Sequence, residues 1–331
     1  MKVTKPDYFD SFRCLAGACP DSCCREWDVQ VDEASARRYR ALPGPLGDRL
    51  RQVLKDGDGE TVMAIEQGRC PMWRADGLCR IQAELGEEAL CRVCREFPRL
   101  RHDYGDFAEL ELELSCPEAA RLILAPGARR WVTLEVDGGD PAEYDPRDMA
   151  VLKATRQTAL EILSGDLPGK ALARLLLFGY EAQALLDGET DTARIPEPEE
   201  VPPLPGDISA FAAFFRKLEI LTPRWENLLG QARPPRLAPV HAALARYITR
   251  RYWLQAISDY DLICRVKFIV IATLLVSMLP GSPAETAQLF SKEIENDVDN
   301  VDAILDAALA REEFADRRLL GMCLIQPPEN G

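Results

Sequence analysis

The chain has 331 residues, of which 47% are hydrophobic, and it carries a formal net charge of −14. This length allows a buried core and about two domains of roughly 100 to 200 residues each, and it excludes a small disulfide-stapled scaffold. The negative charge argues against nucleic-acid binding, which depends on clusters of cations that neutralise phosphates.

The first residues, MKVTKPDYFD, are charged and lack the apolar segment of a secretory signal. The longest apolar run is FIVIATLLVSML at 268–279. It is shorter than the ~20 residues that a membrane span needs, so it predicts a buried helix. We therefore expect no membrane association and a reducing cytoplasmic environment, where cysteine clusters bind metal more often than they form disulfides.

Short helices and turns alternate in the first part of the chain. DEASARRYRAL at 32–42 and EEALCRVCREF at 87–97 favour helices, whereas ALPGPLG at 41–47 and KDGDGE at 55–60 are typical of turns. The clear strand candidate is FAELELELS at 107–115, where leucines alternate with glutamates. These elements predict a small irregular domain.

Helical patterns dominate the remainder. DPRD at 145–148 and SPAE at 282–285 combine a capping residue, a proline and an acidic residue, and so predict helix starts. Amphipathic runs occupy 170–186 and 208–229, and five prolines within 196–205 predict an extended, exposed linker. The expected fold is mainly α. Its predicted parts are a cysteine-rich metal-binding domain at 1–130, a helical segment at 131–187, a proline-rich linker at 188–207 and a helical domain at 208–331.

Nine of the eleven cysteines precede residue 117, and four lie within CLAGACPDSCC at 14–24. With only two histidines, His102 and His241, a metal site here must be mostly thiolate, which selects an iron–sulfur cluster or Zn²⁺. The spacing C-x₄-C-x₃-C-C matches no zinc knuckle and only loosely matches plant-type ferredoxins. Disulfides, buried thiols and a nucleophilic cysteine are the alternatives, and a nucleophile would need a positioned histidine.

Individual cysteines carry further expectations. Cys23 and Cys24 cannot comfortably bind one small ion together, so they either point to different irons or divide into a ligand and a packed thiol. Cys116 precedes a proline at a predicted helix N-terminus, where the dipole and free N–H groups should lower its thiol pKa. Cys264 and Cys323 stand alone in apolar contexts and are expected to be buried.

Three cysteine segments resemble the flagellin lysine-N-methylase family: FRCLAGACPDSCCREWDVQVD, CPMWRADGLCRIQAELGEEALCRVCREFPR and ELSCPEAARLIL. The resemblance extends to 251–276 and 289–305 and so covers most of the chain. It implies an N-terminal cysteine-cluster domain that chelates iron, as a 4Fe–4S cluster, or alternatively zinc. The implied ligands are Cys14, Cys19, Cys23, Cys24, Cys70, Cys79, Cys94 and Cys116. Cys91 lies outside the family pattern.

The resemblance also implies a protein-lysine N-methyltransferase that uses S-adenosylmethionine, with lysines of flagellin as the family's named substrate. Such a reaction needs groups that attract the lysine and receive its proton. The segment SKEIENDVDN is the best candidate, because Glu293 and Asn296 or Asp297 should share one helix face. A solvated polar face or a helix junction is the alternative for this segment.

Two common signatures are missing from the sequence. No glycine-rich turn lies between a strand and a helix, so the position of S-adenosylmethionine is left open. The C-x₃-C-x₂-C spacing of radical S-adenosylmethionine enzymes is also absent, and a lysine amine is nucleophilic enough without radical chemistry. A non-enzymatic metal-binding protein with a partner-binding helical body, and a redox protein, are the alternative functions.

Overall fold

The computed structural model describes residues 1–57, 59–127, 129–165 and 167–325. Within these residues the chain forms fourteen α-helices and seven β-strands, which confirms the expected mainly α fold. The strands are β1 Lys2–Pro6, β2 Val29–Gln30, β3 Leu54–Gly57, β4 Glu60–Met63, β5 Arg99–Asp103, β6 Phe107–Leu112 and β7 Trp131–Glu135. The helices are α1 Glu33–Ala41, α2 Gly44–Val53, α3 Arg80–Leu85, α4 Arg92–Glu96, α5 Pro117–Leu124, α6 Pro146–Gly165, α7 Pro168–Leu186, α8 Ile208–Phe215, α9 Pro223–Gly230, α10 Pro239–Tyr252, α11 Leu262–Met278, α12 Pro283–Phe290, α13 Val298–Ala310 and α14 Asp316–Cys323.

The strands form two small sheets. The larger has the order β5-β6-β1-β7, and the smaller has the order β2-β4-β3. In the larger sheet β1 runs parallel to β6 and antiparallel to β7, so that Val3 lies between Ala108 and Leu134. The sequence predicted β6 and missed the others, which are short or rich in charged residues.

Strand β6 is buried on both faces. It ends at Leu112, three residues before the end of the predicted strand at 107–115. Glu109 and Glu111 are buried, although their alternation with leucine is typical of a solvent-facing edge. The Glu109 carboxylate is paired with Arg156 of α6, whose two terminal nitrogens donate to it at 2.6 and 2.5 Å. An inner strand covered by helices therefore carries charges that must be matched inside the protein.

Helix α11 is the centre of the helical body. All of its residues are buried, which confirms the predicted buried helix, and it packs against α7, α10 and α13. Helix α6 begins at Pro146 and α12 at Pro283, as the capping patterns predicted. Among the helices of the described ranges, none is both long and apolar enough to cross a membrane.

Three local predictions need correction. The helix expected at 87–97 is interrupted, because a 3₁₀ turn at Glu87–Ala89 ends before Cys91 caps α4. The run at 208–229 divides into α8 and α9, since Thr222 accepts a hydrogen bond from the Trp225 N–H and starts a new helix. The turn expected at 41–47 is helical from Gly44 onward.

The buried apolar residues form two clusters. The large core draws on the four-stranded sheet and the helical body, and includes Phe107, Leu176, Phe211 and Phe268. The small core lies within residues 29–91. The segment 188–207 is mostly exposed and extended around one 3₁₀ turn, while the domain boundaries drawn from the sequence stay a prediction.

Candidate functional site

All eleven cysteines are free thiols, and the nine that precede residue 117 lie in two adjoining groups. The larger group belongs to the small core. Within it the Cys70 N–H donates to the Cys24 carbonyl at 2.8 Å, and Trp73 pairs with Cys79 in an antiparallel bridge. The members are Cys24, Cys70, Cys79, Cys91 and Cys94, which lie within that core or pack against it.

The smaller thiol group lies where the first cysteine loop meets the start of α5. The side-chain amide of Gln288 on α12 donates to Asp21 at 2.9 Å and to the Ser115 carbonyl at 2.7 Å. Asp21 stands between two cysteines of the loop, and Ser115 precedes Cys116, so this amide holds the two segments together. The group comprises Cys14, Cys19, Cys23 and Cys116, whose charges act on one another.

Hydrogen bonds between neighbouring thiols separate their acidities. The bond between Cys23 and Cys24 raises the pKa of Cys23 and lowers that of Cys24 to about 7. The bond between Cys91 and Cys94 likewise lowers the pKa of Cys91 to about 7 and raises that of Cys94. In each pair, ionisation of one thiol therefore opposes ionisation of the other, and the thiolate is the metal-binding form.

Cys116 caps α5 at its N-terminus, where the sequence predicted a helix start. Its expected low pKa is wrong. Burial raises the pKa of Cys116 to about 11, and the N–H groups of Ala119 and Glu118 offset only part of that effect. Removal of the thiolate from water therefore outweighs the helix N-terminus.

The thiol donors suit an iron–sulfur cluster or zinc, because both are held by thiolates. Over residues 1–57, 59–127, 129–165 and 167–325, no three histidine, cysteine or acidic side chains converge closely enough to hold a metal ion. The chain thus offers donors of the right chemistry in two adjoining groups, and the choice of ligands stays a prediction.

The two catalytic candidates lie in different surroundings. Glu293 belongs to a π-helical turn, Ser291–Glu295, and is buried. Its carboxylate accepts hydrogen bonds from the Leu221 N–H at 2.8 Å and from the Thr222 hydroxyl, and burial raises its pKa. Asn296 is exposed at the end of the turn. Asp297, the alternative partner of Glu293, accepts the Asn300 N–H at 3.1 Å and starts α13. The shared face expected for Glu293 with Asn296 or Asp297 stays a prediction, as do their catalytic roles.

Lys292 of the same turn contacts the first cysteine loop. Its ammonium lies 2.8 Å from Asp21 and 2.5 Å from Glu26, and 5.3 Å from the centre of the Trp27 ring. The side chain is almost completely buried. The loop that carries the first four cysteines is therefore fixed to the helical body at this point.

A cavity of about 540 Å³ lies between the four-stranded sheet, α6, α10 and the end of α5. Arg129, Arg246 and Arg250 line it, and within the described part of the chain none of them forms an ion pair with a carboxylate. Arg129 and Arg246 donate to backbone carbonyls, and the Arg250 guanidinium stacks 3.7 Å from the centre of the Trp131 ring. The lining of this cavity is thus rich in unpaired cations.

Glu111 is the buried carboxyl group of this cavity. It accepts hydrogen bonds from the Tyr8 hydroxyl and, at 3.1 Å, from the Leu112 N–H. Burial raises the pKa of Glu111 to about 7 and lowers that of Arg250 to about 10. Sequence reasoning missed this site; the available signal was Arg246 and Arg250, four residues apart on one helix face.

Helix α5 connects the cavity to the smaller thiol group. Cys116 caps its first turn and Ile123 lines the cavity, a separation of about 10 Å along the axis at the usual helical rise. Tyr247 also lines the cavity, and its hydroxyl accepts a hydrogen bond from the Leu114 N–H at 3.2 Å. The thiols and the cavity therefore lie at opposite ends of one short helix.

Known proteins share sequence with this chain. The flagellar biosynthetic protein FliU of Salmonella muenchen is 34% identical over 131 residues, which cover 38% of this chain and 78% of that protein. The lysine-N-methylases of Salmonella typhimurium and Salmonella choleraesuis are also 34% identical over 131 residues, covering 38% of this chain and 33% of each relative. No family model and no solved structure matches the chain. The chain belongs to the flagellin lysine-N-methylase family, which confirms the family resemblance seen in its sequence. The expectation that this resemblance covers most of the chain is not met by these alignments, and the cysteine-cluster domain stays a prediction.

The raised pKa of Glu111 predicts a pH-dependent stability. Its protonated form is favoured in the folded protein, so the associated stability is complete below its usual pKa of 4.5 and is lost as the pH rises through about 7. Between these pH values, the free energy of unfolding should fall by about 3 kcal/mol more for the wild type than for Glu111→Gln. Chemical denaturation at a series of pH values measures this, and parallel profiles for the two proteins would contradict it. The exposed Glu226→Gln, which lies outside the cavity, serves as control.

Proposed function

We propose that the chain transfers a methyl group from S-adenosylmethionine to the ε-amine of a protein lysine. The observation that carries this proposal is the 34% identity to proteins named lysine-N-methylase. The flagellar name of a third relative supports flagellin as the substrate. The alignments span one third of the lysine-N-methylases, so the activity is inferred for this chain from that shared part.

The reaction is a displacement at carbon. The lone pair of the neutral lysine nitrogen forms a bond to the methyl carbon, the bond from that carbon to sulfur breaks, and its electrons return to sulfur. S-adenosylhomocysteine leaves as a neutral thioether, and the methylated nitrogen gives up a proton. The protein must align the nitrogen, carbon and sulfur, and must provide an acceptor for the proton.

Glu293 is the proposed proton acceptor. Burial raises the pKa of its carboxyl group, which brings a carboxylate closer to the range useful for general base catalysis. The Leu221 N–H and the Thr222 hydroxyl hold the group in place. Asn296 is exposed and its amide is not a base, so its proposed role is to hydrogen-bond the substrate.

The thiol groups are proposed to hold iron–sulfur clusters of the 4Fe–4S type, with zinc as the alternative metal. Such binding requires the cysteine side chains to converge more closely than they do over the described residues. Four thiolates are needed for each cluster, and the eight cysteines of the family pattern divide into two sets of that number. A bound cluster would cross-link the loops that carry these cysteines. The proposed sets are Cys14, Cys19, Cys23 and Cys116 on one side, and Cys24, Cys70, Cys79 and Cys94 on the other.

The cluster proposal predicts a brown protein that contains iron and sulfide after anaerobic purification. Loss of one thiolate should release one cluster, so Cys19→Ser and Cys79→Ser should each lose roughly half of the iron and the double variant nearly all of it. Cys264→Ser, a buried cysteine of the large core, is the matched control. Zinc in place of iron in the purified protein, or full iron retention by both single variants, would contradict the assignment.

Methyl transfer is tested with the metal-loaded full chain, methyl-labelled S-adenosylmethionine and flagellin from the same organism. We expect labelled lysines, identified by mass spectrometry of the peptides. Glu293→Gln should lower the rate by roughly 10²-fold or more, as expected for loss of a general base. The exposed Glu226→Gln is the control variant. Absence of label from every lysine, with metal-loaded protein that binds S-adenosylmethionine, would refute the activity.

A further inference from the structure

The cavity between the four-stranded sheet and α10 combines charges of both signs. Three guanidinium groups line it without a carboxylate partner in the described part of the chain, although the protein as a whole carries a net charge of −14. In addition, the buried Nε of Arg129 has no hydrogen-bond partner among the described residues. The carboxyl groups of Glu111 and Glu161 line the same space. Unpaired guanidinium groups in a partly buried site favour binding of a carboxylate or phosphate.

Charges of both signs in the cavity favour some classes of ligand over others. A lysine side chain is a poor occupant, because its ammonium would face three cations. A polyphosphate would meet the carboxyl groups of Glu111 and Glu161. A zwitterion satisfies both signs, since its carboxylate can pair with the arginines while its cationic centre lies near the carboxyl groups.

The size and the aromatic lining point to a ligand larger than a free amino acid. A volume of about 540 Å³ lies within the range usual for small-molecule and cofactor sites. Tyr8 and Trp131 contribute ring surfaces, and Trp131 is already held by the Arg250 guanidinium. Ring surfaces of this kind attract flat heterocycles and sulfonium or ammonium groups.

We infer that this cavity binds S-adenosylmethionine, with Arg246 and Arg250 pairing with its carboxylate and Glu111 facing its cationic centres. The inference rests on the proposed methyl transfer. Of the two reactants, S-adenosylmethionine carries the carboxylate and the heterocycle, whereas the lysine carries neither. The arrangement also places the donor about one short helix away from Cys116, at the other end of α5. Glu293 does not line this cavity, so the assignment concerns the site of the methyl donor and is separate from the proposed role of Glu293 as proton acceptor.

The test is a ligand-and-protein double-mutant cycle measured by calorimetry on the metal-loaded full chain. S-adenosylmethionine and its decarboxylated analogue are titrated into wild type, Arg250→Ala and Arg246→Ala. Wild type should bind the analogue at least tenfold more weakly than S-adenosylmethionine, since a charge-assisted hydrogen bond is lost. Arg250→Ala and Arg246→Ala should each discriminate less between the two ligands than wild type, and the double variant should bind both with nearly the same affinity. Such coupling reports a direct interaction between the guanidinium and the carboxylate.

Two further variants separate loss of the guanidinium–carboxylate interaction from loss of folding and from a general loss of positive charge. Arg250→Lys retains the charge and should recover part of the discrimination, and its melting temperature and near-ultraviolet circular dichroism establish that it is folded. Arg216→Ala removes an exposed arginine at the end of α8 and should bind like wild type.

The other outcomes separate the two proposals. If wild type binds S-adenosylmethionine but the arginine variants discriminate between the ligands as wild type does, the cavity assignment is overturned and the methyl transfer stands. Absence of any S-adenosylmethionine binding overturns both proposals. Arginine-dependent binding of ATP that is tighter than binding of S-adenosylmethionine assigns the cavity to a phosphate ligand and overturns the inference.

Discussion

One buried ammonium group, that of Lys292, attaches the first cysteine loop to the helical body. It lies between Asp21 and Glu26, on either side of the adjacent cysteines at 23 and 24, and Gln288 binds Asp21 from one turn earlier. Removal of one partner from a buried ion pair costs about 3–5 kcal/mol, because the remaining charge is left uncompensated. The position of the thiols therefore depends on Gln288 and Lys292, which lie 267 and 271 residues after Asp21 in the sequence.

Two other buried carboxylates are also paired with a cation, whereas that of Glu111 in the larger sheet has no such partner among the described residues. Glu109 is neutralised by Arg156, and Glu295 lies 3.4 Å from Arg251. Glu111 instead receives only neutral hydrogen-bond donors, and its pKa rises to about 7. Perturbed pKa values cluster at functional sites, and this agrees with the proposal that the cavity binds a ligand.

Local signals in the sequence accounted for some of the helices. A capping residue followed by proline placed the starts of α6 and α12, and continuous apolar character identified α11 as buried. The short strands were missed because their residues are polar and their pairing involves distant segments, such as β1 with β7. The π-helical turn was also missed, because the sequence around Glu293 predicted an ordinary α-helical spacing.

The sequence predicts the chemistry of a thiolate site, which stays a prediction, but it does not predict the arrangement of the cysteines. The cysteine count and the family resemblance indicated thiolate ligands, whereas the division into two thiol groups depends on contacts made by Gln288 and the small core. The cavity could not be predicted, because Tyr8, Glu111, Arg129 and Arg250 come from four separate segments. Burial, which the sequence does not show directly, also reversed the expected pKa shift of Cys116.

The most direct measurement of the central claim is the fate of a methyl group that carries three deuterium atoms. The metal-loaded protein is incubated with this form of S-adenosylmethionine and flagellin, and the products are analysed by mass spectrometry. Displacement by the lysine amine predicts that every methyllysine keeps all three deuterium atoms and that one S-adenosylhomocysteine forms for each methyl transferred. Methyllysine that has lost deuterium, or 5′-deoxyadenosine formed in step with methylation, would contradict the account.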